Sequence, residues 1–409
     1  MNAPESKNHL QTGAQSASKS HVMNTYANLP ISIERGDGVW VWDESGRQYL
    51  DAMAGIAVNG LGHKHPKLVA ALTDQINKVI HTSNLYQVRG QRELADRICE
   101  RSGMEEVFFV STGAEANENA IKLARFHGYK HGKKFVKTLV MERAWHGRTI
   151  ATLAATDSEK AAKGFEPLQH ECFVRVPFDD FAAIEQAAAE HPEINSVLLE
   201  VLQGEGGVNV AHDDYLRGLR ALCDKKGWLM ILDEVQCGMG RTGKWFGFQH
   251  SGVLPDAIVL AKGLASGVPV AALAVRGPAA NLFGPGNLGT TFGGNPLAMR
   301  AGICTFDTIE EDGLLEHAAV VGDRIREGFR RALKDVAGIV EIRGMGLMIG
   351  IELDRPCGDI VMQALDAGLL VNVTRDSVIR LLPALVMSAE EADQLVAGLA
   401  PIIRRFLAN

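Results

Sequence analysis

An aspartate and a lysine each follow an apolar run that is typical of a buried strand. The run WLMIL ends before Asp233, and the run AIVLA ends before Lys262. Because every position in these runs is apolar, we expect strands buried on both faces, as in the middle of a parallel sheet. Open α/β sheets bind ligands at the carboxyl ends of their strands, so the sequence predicts a carboxylate and an amine at one edge. Taken alone, Asp233 also fits a helix N-cap, and Lys262 also fits a lysine that reaches solvent.

A third apolar run, VFFV, leads into small residues that suit an anion. It is followed by Ser111, Thr112, Gly113 and Ala114, and then by a predicted helix from Glu115 to about residue 130. Small residues at a helix N-terminus leave backbone N–H groups accessible, and such a cradle most often binds phosphate. An acid, an amine and a phosphate seat together suit pyridoxal phosphate, which takes a lysine Schiff base, a carboxylate on its pyridinium nitrogen and a phosphate cradle.

These segments belong to a longer series of motifs, and through that series nearly the whole chain after about residue 25 resembles the class III aminotransferases. The motifs are GIAVNGLGHKHP (55–66), HTSNLY (81–86), STGAEANE (111–118), AWHGRT (144–149), QGEGGV (203–208), DEVQCGMGRTG (233–243), TTFGGNP (290–296) and RGMGLMIG (343–350). The resemblance is closest to the members that act on acetylornithine. It implies an α/β fold, the PLP-dependent transferase fold type I, with a mostly parallel central sheet and a smaller α+β domain formed by both chain ends.

The resemblance implies that Lys262 and Asp233 are catalytic. Asp233 would keep the pyridine nitrogen protonated, and Lys262, once released from the cofactor, would move the proton from the substrate carbon. It also implies cofactor contacts beyond this pair: the backbone N–H groups of Gly113 and Ala114 on the phosphate, Trp145 over the ring, Gln236 at the ring hydroxyl, and Thr291.

Two of these cofactor contacts have a complication. Ala114 stands where many relatives have threonine, so one hydroxyl contact to the phosphate is missing. Thr291 can replace it, and in the family its segment reaches over from the neighbouring subunit, which implies a homodimer with shared sites. Gln236 fits a plain structural amide almost as well as a cofactor contact.

Substrate contacts implied by the resemblance involve two arginines. Arg380 would bind the α-carboxylate in a bidentate fork, and Arg148 would contact the side chain of the amino donor. Glu205 would pair reversibly with Arg380, and Thr290 is a further candidate for substrate contact. Surface ion pairing is the plainer alternative for either arginine.

The implied reaction is a two-stage transamination of small-molecule substrates. The ω-amino group of N2-acetyl-L-ornithine would pass to 2-oxoglutarate, giving N-acetylglutamate 5-semialdehyde and glutamate, a step of arginine biosynthesis. Alternative donors are N-succinylornithine, N-succinyl-diaminopimelate, ornithine and 4-aminobutyrate. The choice of donor follows from the resemblance alone.

Composition narrows the classes of partner and compartment. The net charge of −7 and pI near 6.0 give no reason to expect nucleic acid or an anionic membrane as partner. No apolar run reaches the roughly 20 residues that span a bilayer, and no signal peptide pattern begins the chain. Six cysteines without a C-x-x-C pair fit a reducing compartment. We therefore expect a cytoplasmic protein.

The pattern of elements predicts the domain organisation. Strands and helices alternate between about residues 70 and 300, which favours a parallel sheet covered by helices. We expect a flexible arm over 1–22, the N-terminal part of a small domain over 23–70, a large cofactor-binding domain over 71–300 and the C-terminal small domain over 301–409. A β-hairpin is expected around residues 44–46, and helices over 67–81 and 213–226.

Two other functional classes leave traces in the sequence. GMGRTG (238–243) matches the glycine pattern of NAD-dependent dehydrogenases, but KWFGFQHSGVLP does not open the required helix, and Asp256 begins the next strand instead of ending it. The histidine pairs His127/His131 and His63/His65 lack an acid or cysteine that would complete a metal site, so we expect no metal.

Overall fold

The structure is a computed structural model that describes residues 21–408. The arm predicted over residues 1–22 lies almost wholly outside this range. The strands are β1 (Ile33–Asp37), β2 (Trp40–Asp43), β3 (Gln48–Asp51), β4 (Glu106–Val110), β5 (Lys137–Met141), β6 (Phe173–Val176), β7 (Ile194–Leu199), β8 (Leu202–Gln203), β9 (Asn209–Val210), β10 (Leu229–Asp233), β11 (Ala257–Leu260), β12 (Ala271–Val275), β13 (Ile339–Met345), β14 (Met348–Leu353), β15 (Leu369–Leu370), β16 (Asn372–Thr374) and β17 (Val378–Leu381).

The helices cover the sheets and connect them. They are α1 (Pro66–Ile76), α2 (Arg89–Ser102), α3 (Gly113–Lys130), α4 (Ile150–Ala155), α5 (Glu159–Ala162), α6 (Phe181–Glu190), α7 (Asp213–Lys226), α8 (Pro296–Glu311), α9 (Leu314–Ala332), α10 (Ile360–Asp366) and α11 (Ala389–Ala408). A separate turn at Ala54–Ala57 has left-handed backbone angles at all four residues.

The central sheet has seven strands in the order β4-β12-β11-β10-β7-β5-β6. Strand β10 lies in its middle with parallel partners β11 and β7, and all five of its residues are buried. Only β12 runs against its neighbours β11 and β4, so β4, β10 and β11 point the same way. Their carboxyl ends therefore meet at one edge, as the sequence predicts.

Helix α3 begins two residues earlier than the predicted Glu115. A capping box explains the difference: Thr112 Oγ1 accepts from the Glu115 N–H at 3.2 Å, and Glu115 Oε2 accepts from the Thr112 N–H at 2.8 Å. This reciprocal pair satisfies backbone donors at the helix start. Gly113 is consequently the first helical residue, at the carboxyl end of β4.

Both chain ends contribute to smaller sheets beside the central one. The sheet β1-β2-β3-β15 joins the N-terminal hairpin to Leu369 and Leu370, and the sheet β13-β14-β17-β16 comes wholly from the C-terminal part. The predicted hairpin around residues 44–46 is present as β2 and β3. The helix predicted over 67–81 ends at Ile76, and the helix predicted over 213–226 has those bounds.

The segment after GMGRTG does not carry a dinucleotide-binding helix. Its first helical piece is a 3₁₀ turn at Gly247–His250, and Asp256 precedes β11 with its carboxylate paired to Arg220 at 2.7 Å. Within residues 21–408 no group of three His, Cys, Asp or Glu side chains is arranged to hold a metal ion. No helix in this same range is long and apolar enough to cross a membrane.

One glycine in helix α9 gives a test of the packing between α9 and the β13–β14 hairpin. A Cβ on Gly322 would lie 1.9 Å from the Gly346 carbonyl oxygen. An alanine inside a helix normally stabilises by about 0.5–1 kcal/mol. Here we expect Gly322→Ala to lower the free energy of unfolding by about 1–3 kcal/mol, because backbone atoms must move apart. Urea denaturation measures the change.

The matched control for this substitution lies on the same helix. The nearest atom to a Cβ on Gly328 is a methyl group of Val396, at 3.0 Å, and a side chain of this kind can shift. Gly328→Ala should therefore change the free energy of unfolding by less than about 1 kcal/mol. A stabilised Gly322→Ala protein would contradict the close approach of α9 to the hairpin.

Candidate active site

A cavity of about 470 Å³ opens at the carboxyl edge of the central sheet, where β4, β10 and β11 end. It collects most of the site residues that the sequence predicts. Those that line it are Gly113, Ala114, Trp145, Arg148, Glu205, Asp233, Gln236 and Lys262. The walls are largely carbon, and the polar groups are few and convergent, as is usual for cofactor sites.

Asp233 is the last residue of β10 and is only 3% exposed. Its Oδ2 accepts from His146 Nδ1 and from Asn117 Nδ2, both at 2.8 Å, and its Oδ1 accepts from the Val235 N–H at 3.0 Å. A buried carboxylate is tolerated when hydrogen bonds satisfy its oxygens. These three donors fix the plane and position of the carboxylate.

His146 and Asn117 are site residues that the sequence reasoning missed. His146 follows Trp145 in AWHGRT, and Asn117 lies one helical turn after Gly113, on the same face of α3. Each keeps one buried polar atom without a hydrogen-bond partner, His146 Nε2 and Asn117 Oδ1. The sequence pointed to them only through their motifs, since Asn117 lies in STGAEANE and His146 lies in AWHGRT.

Lys262 follows β11 and begins a short 3₁₀ turn in a left-handed backbone conformation, with φ of +47°. Desolvation by the surrounding protein lowers the pKa of its amine, and the positive charge of Arg380 lowers it further. Glu205 and other nearby carboxylates oppose this shift without reversing it. A lowered pKa increases the neutral fraction of the amine, which is the nucleophilic form.

The start of helix α3 lies where the sequence predicts an anion seat. The capping box uses the N–H groups of Thr112 and Glu115 and leaves those of Gly113 and Ala114 unused. The AWHGRT turn approaches this helix closely, since a Cβ on Gly147 would lie 3.0 Å from the Ala114 Cβ. With φ of +136°, position 147 also requires glycine for its backbone.

Arg380 is 1% exposed and lies on β17; it does not line the cavity itself but contacts two residues that do. Its Nη1 donates to Glu205 Oε1 at 2.7 Å and to Gln236 Oε1 at 3.2 Å, and its Nε donates to Asn372 Oδ1 at 3.0 Å. The pairing of Arg380 with Glu205 that the resemblance implies is therefore present. Arg148 is exposed, and its guanidinium lies 5.1 Å from the centre of the Trp145 ring.

The two threonines of TTFGGNP are not brought to this cavity within the chain. Thr290 Oγ1 accepts from the Gly293 N–H at 3.2 Å, and Thr291 is exposed. Their predicted contacts therefore remain predictions that involve a second subunit.

Comparison with known proteins identifies the family. The family model Aminotransferase class-III matches residues 21–403. The chain belongs to this family. The acetylornithine aminotransferase of Nitrosomonas europaea is 55% identical over 388 residues, which cover 95% of this chain and 98% of that protein. The acetylornithine aminotransferase of Aquifex aeolicus is 44% identical, with 94% and 100% covered.

Solved structures agree in fold over the same length. The ornithine aminotransferase from Toxoplasma gondii superposes with a TM-score of 0.90 at 33% identity, covering 94% of this chain and 93% of that one. The N-acetylornithine aminotransferase from Stenotrophomonas maltophilia gives 0.82 at 33% identity, covering 94% and 98%. The predicted family and the predicted fold type are thus confirmed.

Family membership also confirms pyridoxal phosphate as the cofactor of this aminotransferase. The cavity fits that group: Lys262 offers an amine of lowered pKa, Asp233 a fixed carboxylate, and the start of α3 two unused N–H groups. The orphaned polar atoms of His146 and Asn117 are also found here.

Asn117 provides a test of how firmly Asp233 is held. A hydrogen bond to a charged group contributes about 1.5–3 kcal/mol. We expect Asn117→Ala to weaken pyridoxal phosphate binding by about tenfold or more, because Asp233 loses one of its donors. Titration of the apoenzyme, followed by absorbance, measures the affinity.

Asn119→Ala is the control, since this buried amide of the same helix donates to the Glu115 carbonyl oxygen at 2.8 Å and does not line the cavity. Equal cofactor affinity in the two variants would contradict the proposed hold on Asp233.

Proposed function

We propose that the enzyme transfers the ω-amino group of N2-acetyl-L-ornithine to 2-oxoglutarate, as a step of arginine biosynthesis. The observation that carries the choice of donor is the 55% identity, over nearly the whole of both chains, to a protein named acetylornithine aminotransferase. The buried Arg380 with its Glu205 partner supports the acceptor, since a guanidinium that is released from a carboxylate of the protein can bind the α-carboxylate of 2-oxoglutarate.

Lys262 and Asp233 carry the chemistry in this proposal. Bound pyridoxal phosphate supplies the electron sink that makes the carbon–hydrogen bond next to the reacting nitrogen acidic. Asp233 would keep the ring nitrogen protonated, and His146 keeps the carboxylate in position from Nδ1. The amine of Lys262, once free, would act as the base that takes the proton from the substrate carbon.

Arg380 and Glu205 sort the two substrates. When Glu205 pairs with Arg380, the cation is neutralised and the cavity accepts the acylated ω-amine. When Glu205 turns away, Arg380 is free to bind a carboxylate of 2-oxoglutarate. The Glu205 side chain is 32% exposed, which leaves it room to turn away. Arg380 then keeps its neutral acceptors Gln236 and Asn372. Arg148 at the exposed rim contacts the donor.

The remaining roles complete the site. Gly113 and Ala114 would bind the phosphate through backbone N–H groups, and Trp145 would contact the ring. Gln236 would contact the ring hydroxyl. Thr291 of a second subunit would add the hydroxyl that Ala114 lacks, and Thr290 would contact substrate. We further propose a cytoplasmic enzyme.

The donor is tested by single half-reactions without 2-oxoglutarate. Acetylornithine, succinylornithine, succinyl-diaminopimelate, ornithine and 4-aminobutyrate are added separately to the cofactor-loaded enzyme, and the absorbance change to the amine form of the cofactor is timed. We expect kcat/KM for acetylornithine to exceed that for the other donors at least tenfold. A faster reaction with ornithine would move the assignment towards the ornithine aminotransferases, whose fold this chain shares.

Lys262→Ala tests the catalytic role assigned to Lys262. This variant should bind the cofactor without the covalent absorbance band and should not convert any donor, whereas Lys160→Ala, far along the chain in α5, should leave both properties unchanged. Conversion of acetylornithine by Lys262→Ala at wild-type rate would rule out the assigned base.

We also propose that two chains form a homodimer with shared sites. Large apolar side chains are exposed in two segments, residues 79–86 and the segment that contains Thr290 and Thr291. They are Val79, Ile80, Leu85, Tyr86 and Phe292. The rings of His81 and Phe292 lie 5.5 Å apart, which joins the two segments into one surface. Apolar surface of this kind is typical of an interface.

A charge placed on this surface tests the dimer. Leu85, which is 86% exposed in the single chain, is changed to aspartate. We expect Leu85→Asp to raise the dimer dissociation constant at least tenfold in analytical ultracentrifugation, because a charge would be buried. Phe165→Asp, at a position 60% exposed elsewhere, is the control. A wild-type monomer, or a dimer that Leu85→Asp leaves unchanged, would contradict the proposal.

A further inference from the structure

Glu200 is a buried carboxylate in the cavity wall that none of the roles above uses. It follows the last residue of β7, and Leu199 is in register with Leu232 of β10, so Glu200 and Asp233 are neighbours at the strand ends. Its side chain is 5% exposed. Within residues 21–408 no lysine, arginine or histidine forms an ion pair with it. A carboxylate buried without a cation is costly, and its hydrogen bonds show what it holds.

Each oxygen of Glu200 accepts from the backbone of a different active-site segment. Oε1 accepts from the N–H of Trp145 at 2.9 Å, and Oε2 accepts from the N–H of Gly204 at 2.8 Å. Trp145 lines the cavity, and Gly204 precedes Glu205, the partner of Arg380. One side chain thus connects the segment assigned to the cofactor ring with the segment assigned to substrate exchange.

The Gly204 segment has little freedom to move on its other side. A Cβ on Gly204 would lie 2.3 Å from Gln236 Oε1, the atom that also accepts from Arg380. Gly204 is therefore packed between the carboxylate of Glu200 and the amide of Gln236. Rotation of the Glu205 side chain can then occur about a fixed backbone.

The charged groups around Glu200 have opposite effects on its pKa. Burial raises the pKa of Glu200 to about 7; the nearby His146 opposes this shift, and the negative charge of Asp233 adds to it. Two backbone N–H donors favour the ionised form. The hydrogen-bond geometry requires an acceptor at both oxygens.

We propose that Glu200 is a positioning residue of this active site, which holds the backbone at Trp145 and at Gly204 so that the cofactor ring and the Glu205–Arg380 pair keep a fixed relation. The inference rests on the proposed function for the identity of the substrates and for the roles of Trp145, Glu205 and Arg380. A side chain that supports the contacting residues in this way acts through their geometry.

The test compares Glu200→Gln with a carboxylate of matching structure outside the site. Glu234 is 1% exposed and also accepts from two backbone N–H groups, Gly247 and Phe248, both at 2.8 Å, but it does not line the cavity. An amide accepts with only one of its two ends, so each Gln variant loses one of the two bonds. Both variants should therefore show a similar decrease in thermal midpoint.

Only Glu200→Gln should alter the site. We expect the visible circular dichroism of the bound cofactor to fall by at least half, because the Trp145 segment loosens, and KM for 2-oxoglutarate to rise at least fivefold. Glu234→Gln should leave both within twofold of wild type. If Glu200→Gln matches Glu234→Gln in dichroism and in KM, Glu200 is a structural carboxylate and the proposal is wrong.

A second variant covers the case in which Glu200→Gln does not fold. Glu200→Asp keeps the charge but is one methylene shorter, so its carboxylate cannot reach both N–H groups, and the same two readouts must change. The dichroism needs no substrate. If wild type binds the cofactor but rejects acetylornithine, the proposed donor fails while the comparison of Glu200 with Glu234 still decides this inference.

Discussion

The buried carboxylate of Asp233 is the group around which the site is arranged. A negative charge at the end of a central strand is stable only where hydrogen-bond donors surround it. Asn117 of helix α3, His146 of the AWHGRT turn and the backbone N–H of Val235 each donate a hydrogen bond to this carboxylate. The same contacts that satisfy the charge therefore set the distance between the anion seat on α3, the aromatic segment and the sheet.

Near Asp233, positive and negative side chains have opposite effects on the pKa of Lys262. Arg380 and desolvation lower the pKa of Lys262, while the neighbouring carboxylates limit the shift. Arg380 is itself buried, but it is not dependent on Glu205 alone, because Gln236 and Asn372 also accept from it. In the proposed exchange, these extra acceptors would let a carboxylate of the substrate replace a carboxylate of the protein without leaving an unpaired buried cation.

The site also requires two parts of the fold that are distant in sequence. Arg380 lies on β17 of a small C-terminal sheet, whereas Glu205 lies in the turn between β8 and β9 beside the central sheet. Their 2.7 Å contact fixes how the small sheet meets the large one. The packing of Gly322 against the Gly346 carbonyl holds the same small sheet from the helical side.

The sequence by itself determined the family, the cofactor and the strand ends that carry Asp233 and Lys262. Uniformly apolar runs and the order of motifs can both be read along the chain without knowing which segments meet in space. It also indicated Gly113 as part of the anion seat, although the helix capped by Thr112 begins two residues before the predicted start. It did not reveal His146, Asn117 or Glu200 as site residues. Their roles arise when three separate segments converge on one sheet edge, and a lone histidine, amide or glutamate in a sequence has no pattern that predicts its partner. Only the tertiary structure decided which buried polar atoms meet, because hydrogen-bond geometry depends on how strands, turns and helix are packed together.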